Sequence, residues 1–390
     1  MKQFITKKYV IRIIVGIVFL LLYAGSIFLA NRGWNGYTTT KSTGVEYETA
    51  RVLSVLEDNS VTDASIEGRL RGSMELQIEI ISGRYKGDIV DVTNYLSAMY
   101  NVVVKEGDKV SVRIDTVGEN EYQVSVYNYE RSGWLIAFVL LFALALIIIG
   151  GWQGLRAFLG LIFTFVSIVY LLLPLALKGW PTVPLTLLIV SVVSTVSYYL
   201  LGGWQPKIIG ASLGCLCGVA FAAVFGATAA EIVHISAYQM DEAEALMLVM
   251  ADTDLKMGGL FLSGILIASL GAVMDTAMSV ASAMDELKMK RPDISVKELF
   301  SSGMKVGRDA TGTMANTLVL AFAGSSFNMM LLIYSYDVSF NQLMNTDFIA
   351  VELIRGIAGS MGIIMTVPCV AAITAVLLTR RKKVPVKKHK

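Results

Sequence analysis

Two apolar stretches carry the residues best placed to do chemistry. The first reads Gly271-Ala272-Val273-Met274-Asp275-Thr276-Ala277-Met278-Ser279-Val280-Ala281-Ser282. Gly271, Asp275, Ser279 and Ser282 follow one another at spacings of four, four and three, so on a helix they share one face. A carboxylate inside a membrane-crossing helix is costly unless it is paired, hydrated or protonated. Asp275 is therefore a candidate to bind a cation, relay a proton or contact a substrate. The second stretch reads Gly307-Arg308-Asp309-Ala310-Thr311-Gly312-Thr313-Met314-Ala315-Asn316-Thr317. Arg308, Gly312 and Asn316 share a face, with Asn316 about 12 Å further along the axis than Arg308. If the first helix runs to about Ala283, Asp275 and Asn316 reach one depth. An Asp275–Asn316 hydrogen bond or an Asp275–Arg308 ion pair is then expected, with Asp309 close by. The competing reading is polar glue between helices, with Gly271 and Gly312 letting the backbones approach.

What must position these residues is a membrane domain. Of 390 residues, 55% are hydrophobic and 16% charged, with a mean hydropathy of +0.62. Ordinary soluble domains carry about 25% charge. The composition excludes a solvated enzyme surface, and it excludes disorder, which needs low hydrophobicity. A formal charge of +2 gives no global field for nucleic acid, so none is expected as a partner. A spanning helix needs about 20 mostly apolar residues. Eight stretches qualify: 10–30, 134–149, 158–177, 185–201, 208–227, 260–281, 312–334 and 349–378. The last contains Pro368, which predicts a tilt or kink. The first begins with Lys2, Lys7, Lys8 and Arg12, and Phe28 stands where a cleavage site wants a small residue. It reads as an uncleaved signal anchor over 1–31.

Orientation follows from Lys and Arg in short loops. With the N-terminus inside, the inner segments hold nineteen basic residues and the short outer loops two, Lys178 and Lys256. Both termini are then cytoplasmic, with a basic tail over 381–390, and residues 32–131 lie outside. That outer segment holds 11 basic and 16 acidic residues. Between 45 and 130 the pattern becomes alternation. Met74 to Ile80 and Lys109 to Ile114 have period two, the mark of half-buried strands. Further strands are expected at 49–56, 87–93 and 121–127, with turns at Gly83, Gly87, Gly107-Asp108 and Gly118. Five short strands suggest a small all-β domain, an OB-like barrel, serving either ligand or partner binding or a structural cap. The remaining seven helices form the membrane domain, 133–380.

Smaller signals complete the reading. Gly150-Gly151-Trp152-Gln153 recurs as Gly202-Gly203-Trp204-Gln205, either a duplicated helical hairpin or convergent interface chemistry. Gly356, Gly359 and Gly362 read as packing positions, and Glu352 with Arg355 as an i,i+3 pair. The acidic connector 231–256 predicts an interfacial or re-entrant helix around Ala245 to Met250, and its acids a solvated face or a cation-concentrating entrance. The basic connector 285–305 predicts an amphipathic elbow, with a helix over 294–300, touching anionic lipid. Cys215, Cys217 and Cys369 lie in apolar runs as packing residues. No Walker phosphate loop, H-E-x-x-H, G-x-S-x-G or Cys-His cluster occurs, so no cofactor, metal or enzymatic activity is expected.

The two-part motif from Gly271 to Ser282 and from Gly307 to Leu318 resembles the YibE/F family of bacterial multipass membrane proteins over about 134–379. With its anchor and β-domain the chain is similar to the longer, YibE-type members. The resemblance implies a polytopic protein of the bacterial plasma membrane, often encoded beside a shorter, YibF-type paralogue, and no established activity. The residues themselves lead us to expect a secondary transporter or permease component coupled through Asp275, with Ser279, Ser282, Asn316, Arg308 and Asp309 around it. The alternative is a non-transporting scaffold subunit of a hetero-oligomer.

Overall fold

A computed structural model describes residues 2–32, 44–116, 121–240 and 242–380, with side chains from residue 16 onward. The expected basic tail, His389, the turn at Gly118, Asp241 and the side chains of Lys2, Lys7, Lys8 and Arg12 lie outside the described residues. The chain divides into two compact units, 33–145 and the rest.

The smaller unit is built on a curled antiparallel sheet. Its strands are β1 (Val45–Asp58), β2 (Val61–Thr62), β3 (Leu70–Ile80), β4 (Ile89–Leu96), β5 (Lys109–Thr116) and β6 (Tyr122–Tyr129). β1 pairs with β3 on one side and β5 on the other, β4 and β2 pair with β3, and β6 with β5. Alternation puts Met74, Leu76, Ile78 and Ile80 inside, facing Val110, Val112 and Ile114. The register of β1 slips between Val52 and Ser54 and between Val55 and Glu57. Such bulges bend a strand and raise its twist, which lets one long strand serve a curled sheet. The curl brings the β4 side toward β6. Tyr122 donates to Asp88 at 2.6 Å and lies 4.1 Å, centroid to centroid, from the Tyr85 ring. The Tyr129 hydroxyl donates to the Val103 carbonyl at 2.9 Å and accepts from the Val103 N–H.

Asp63, beside β2, is sealed from solvent, accepts the Ser65 N–H at 2.8 Å and pairs with Arg71. The Ser65 backbone hydrogen bond, helped by Arg71, holds its carboxyl below the usual carboxylate range. A lowered folded-state pKa gives stability that is present above the unfolded value of about 4 and is lost as pH falls. The melting temperature of the β-domain within the full chain is thus expected to exceed that of Asp63→Asn at pH 7. The gap should close toward pH 3, and a constant gap would remove the carboxylate from the account.

The larger unit is helical. Its elements are α1 (Lys2–Asn31), α2 (Ser132–Ser167, continued by a π segment, Ile168–Leu172), α3 (Leu173–Leu177), α4 (Thr182–Gly202), α5 (Pro206–Ile232), α6 (Ala243–Asp252), α7 (Leu260–Lys290), α8 (Val296–Ser325), α9 (Phe327–Ser335), α10 (Phe340–Met344) and α11 (Asp347–Arg380); the first residues of α2 belong to the smaller unit. Among the described residues five helices are long and apolar enough to cross a membrane, or six if α8 and α9, bent by 60° at Ser326, are one span. Eight were expected. The difference has two sources. The described apolar part of α1, Gly16–Asn31, is short of a full crossing, and the second and third expected spans form one stretch, Ser132–Leu177.

That stretch is not one straight rod. Gly151 has φ 54° and ψ −135°, and a Cβ built on Gly154 would stand 2.7 Å from the Leu146 carbonyl carbon. Eight residues of straight helix would separate the two by about 12 Å. The chain therefore turns sharply at Gly151. Its counterpart in the repeated motif, Gly203, has φ 66° and ψ −163° and separates α4 from α5. Both copies thus place their second glycine in a backbone region that only glycine enters at little cost. The repeat is a helix-breaking device, with Arg156 over the Trp152 ring in one copy and Tyr199 against Trp204 in the other.

At the centre, α5 lies against α11. Gly210, Gly214 and Gly218, four apart, face Thr374, Val370 and Thr366 in turn. Small residues at this spacing let backbones approach where hydrocarbon gives no hydrophobic drive. α8 packs in the same way, Gly303 against Ala371 of α11 and Met284 of α7, and Gly307 against Val367 of α11. α11 stays a single helix with Pro368 inside it. At one end of the bundle Lys207 pairs with Asp285 at 3.1 Å, tying α5 to α7. A capping box of Ser295 and Glu298 starts α8, which places the expected elbow helix at the foot of a long one. α1 rests on the π segment, where Tyr23 bonds Ser167 at 2.8 Å and Asn31 donates to the Tyr170 carbonyl at 2.8 Å.

Candidate functional site in the membrane domain

Asp275 stands at the midpoint of α7, fifteen residues from Leu260 and fifteen from Lys290. The helix continues past the expected end near Ala283. By the helical rise, Asp275 is about 22 Å from either end. The face of Val273, Ala277, Val280 and Met284 is buried in the core. The face of Gly271 and Asp275 instead opens on a cavity of 340 Å³ between α2 with its π segment, α4 and α7. Arg156, Thr164, Thr186 and Ser197 contribute the other polar side chains of its wall. The rest is aliphatic.

Two features of this cavity point to function. Among the described residues none gives the Asp275 carboxylate a hydrogen bond or ion pair. In the same wall the Thr186 hydroxyl, unlike the exposed Asp275, is buried without a partner. Buried polar groups are normally satisfied, and an exception calls for an explanation. Close behind Asp275, the Tyr198 hydroxyl donates to the Met274 carbonyl at 2.7 Å and pins α4 to α7. Tyr198 is 1% exposed, and it reaches the Cys215 thiol of α5 on its other side. The backbone that carries Asp275 is thus fixed, while its side chain is free to meet a ligand, a proton or water. Sequence reading missed Tyr198, Thr186 and Arg156 because they come from other helices, and no local spacing links them to Asp275.

The expected partners are elsewhere. Neither the Asp275–Asn316 hydrogen bond nor the Asp275–Arg308 ion pair forms. α8 turns Leu299, Gly303, Gly307 and Leu318 to the core, whereas Arg308, Asp309, Gly312 and Asn316 are exposed on its far side. The equal depth rested on a helix end near Ala283, whereas α7 continues to Lys290, and the angular setting of each helix about its axis was not available from spacing alone. Ser279 continues the Asp275 face outside the cavity wall, and Ser282 is half-buried one turn on. The glycines also divide. No atom lies within 4 Å of a Cβ built on Gly271 or Gly312, so neither is a packing position. Gly359 is one, with Leu318 at 2.8 Å, and Gly356 makes ordinary contact with Phe322 and Val319. Glu352 and Arg355 form the expected pair. The three cysteines are free, with Cys215 in the core.

A bundle of long apolar helices, sealed by small residues and holding a lone carboxylate at mid-span, defines a polytopic integral membrane protein. Residues 138–380 match the profile of the YibE/F-like proteins. The chain belongs to that family. No curated protein and no solved structure matches it.

Proposed function

We propose that this protein is a secondary carrier, or the membrane component of one, and that Asp275 is its coupling group. The observation that carries this reading is the partnerless carboxylate at the middle of α7, facing a 340 Å³ cavity. A single carboxylate in such a place takes up a proton or a small cation, and its charge then follows occupancy. Arg156 and Thr186 in the same wall supply a cation and a hydroxyl for a substrate with an acceptor group. We read the chain as eight spans, with the sharp turn at Gly151 forming the inner loop between the second and third and the bend at Ser326 lying within the seventh. Both termini are cytoplasmic on the count of nineteen inner basic residues to two outer ones. The strand order, with β1 between β3 and β5 and with β4 turned toward β6, supports an OB-like outer domain. A shorter YibF-type paralogue is the natural partner.

The test is flux. Purified protein in liposomes, alone and with the paralogue, is expected to move protons or monovalent cations down an imposed gradient. Asp275→Asn should lower that flux at least tenfold, about 1.4 kcal/mol in the coupling step, without loss of the folded protein. Equal flux in wild type and Asp275→Asn would end this reading.

A further inference from the structure

Among the described residues, none packs against the outward face of α8. Arg308, Asp309, Gly312, Thr313 and Asn316 are all exposed there, and the side chains of Arg308, Asp309 and Asn316 make no hydrogen bond or ion pair with the described residues. At 100° per residue these positions centre roughly opposite the packed row of Leu299, Gly303, Gly307 and Leu318. α8 is also the least apolar of the long helices, long and apolar enough to cross a membrane only when joined to α9. Lipid tails satisfy none of these polar groups, and each left bare in hydrocarbon costs several kcal/mol. Something polar must cover them.

We propose that a second copy of this chain covers them, so that the two α8 helices meet across a two-fold axis along the membrane normal. Membrane insertion makes the argument specific. A copy inserted the same way round presents every residue at the same depth, and a two-fold contact is made by one patch with itself. The α8 face is suited to that. Asn316 meets Asn316, and an amide both donates and accepts, so the pair is satisfied on each side. Arg308 of one copy meets Asp309 of the other, and symmetry forms that pair twice. Gly312 lies between the two polar levels with open space above it, which lets the helices close to the distance such bonds need. An unrelated partner would have to supply a complementary group at each depth, whereas a second copy has them all. The inference rests on α8 alone and stands apart from the carrier reading, since Asp275 faces a different cavity.

The experiment uses full-length protein in native membranes of cells lacking the paralogue. The native cysteines are first replaced by serine, and single cysteines are then placed at Gly312, at Asn316 and, as a lipid-facing control on α4, at Leu188. Mild oxidation should convert more than half of the Gly312→Cys and Asn316→Cys chains to covalent dimers, with little from Leu188→Cys. In mild detergent, Asn316→Leu should weaken the dimer at least tenfold. Arg308→Asp should weaken it similarly, and the exchange Arg308→Asp with Asp309→Arg should restore it, a rescue that misfolding cannot imitate. The proposal falls if Gly312→Cys crosslinks no more than the control. It also falls if the dimer forms only with the paralogue present, or if the cysteine at 316 reacts fully with water-soluble thiol reagents and never crosslinks, which would make the face a water-lined surface.

Discussion

Gly218→Leu is expected to leave no folded membrane domain. A Cβ at this position would stand 2.8 Å from the Gly362 carbonyl oxygen and closer still to the Thr366 hydroxyl. Those atoms belong to the backbone of α11 and to a threonine held by its own bond to Gly362 at 2.7 Å, so neither yields by a rotamer change. The helices would have to separate along the whole seam, undoing the fit of Gly210 to Thr374 and Gly214 to Val370 as well. Overpacking one well-filled site costs about 1–3 kcal/mol, and a seam that opens over several turns costs more. That approaches the entire stability of an ordinary protein. The measurement is the yield of monodisperse protein in mild detergent and its melting temperature. A well-folded Gly218→Leu protein within a few degrees of wild type would show that the α5–α11 contact is not what holds the domain.

Gly271→Leu should do the opposite. No atom lies within 4 Å of a Cβ there, the position lines the cavity beside Asp275, and a helix interior gains roughly 1 kcal/mol when glycine is replaced by a good helix former. The melting temperature should stay level or rise. The leucine, however, fills a good part of the space over the carboxylate, and flux in liposomes should fall more than tenfold. Stability and transport thus move apart in this variant, whereas Gly218→Leu loses both. If Gly271→Leu transports like wild type, the 340 Å³ cavity is not on the path.

The contrast between the two glycines also shows what the sequence could reveal. Period-two alternation placed Met74 to Ile80 and Lys109 to Ile114 in strands with the correct inward face, because a half-buried strand writes its environment into every second residue. Apolar runs located the long helices, since hydrocarbon demands them. Asp275 was legible as a carboxylate within an apolar helix, although the reading set it near the helix end and the structure sets it at the middle. Its surroundings were not: the wall of its cavity comes from Arg156, Thr186 and Ser197, which are 78 to 119 positions away. Nor could spacing decide that Asn316 looks outward, because a shared helical face says which residues align and not what they align toward. The glycines 210, 214 and 218 did carry a readable signal, small residues four apart, although their partners on α11 could not be known. The number of spans was blurred for a physical reason too: a glycine-mediated turn such as Gly151 breaks a long apolar stretch without a polar loop to mark the junction.

The seam between α5 and α11 has a consequence for biogenesis. These two helices share the tightest contact of the domain, yet more than a hundred residues lie between Ile232 and Asp347. During synthesis α5 enters the membrane long before α11 is made. Until then its glycine groove has no mate, and α4, α7 and α8 must wait around an unfilled centre. A nascent chain stalled before Thr366 is in this state and is a substrate for membrane quality control, however many of its helices are already in place.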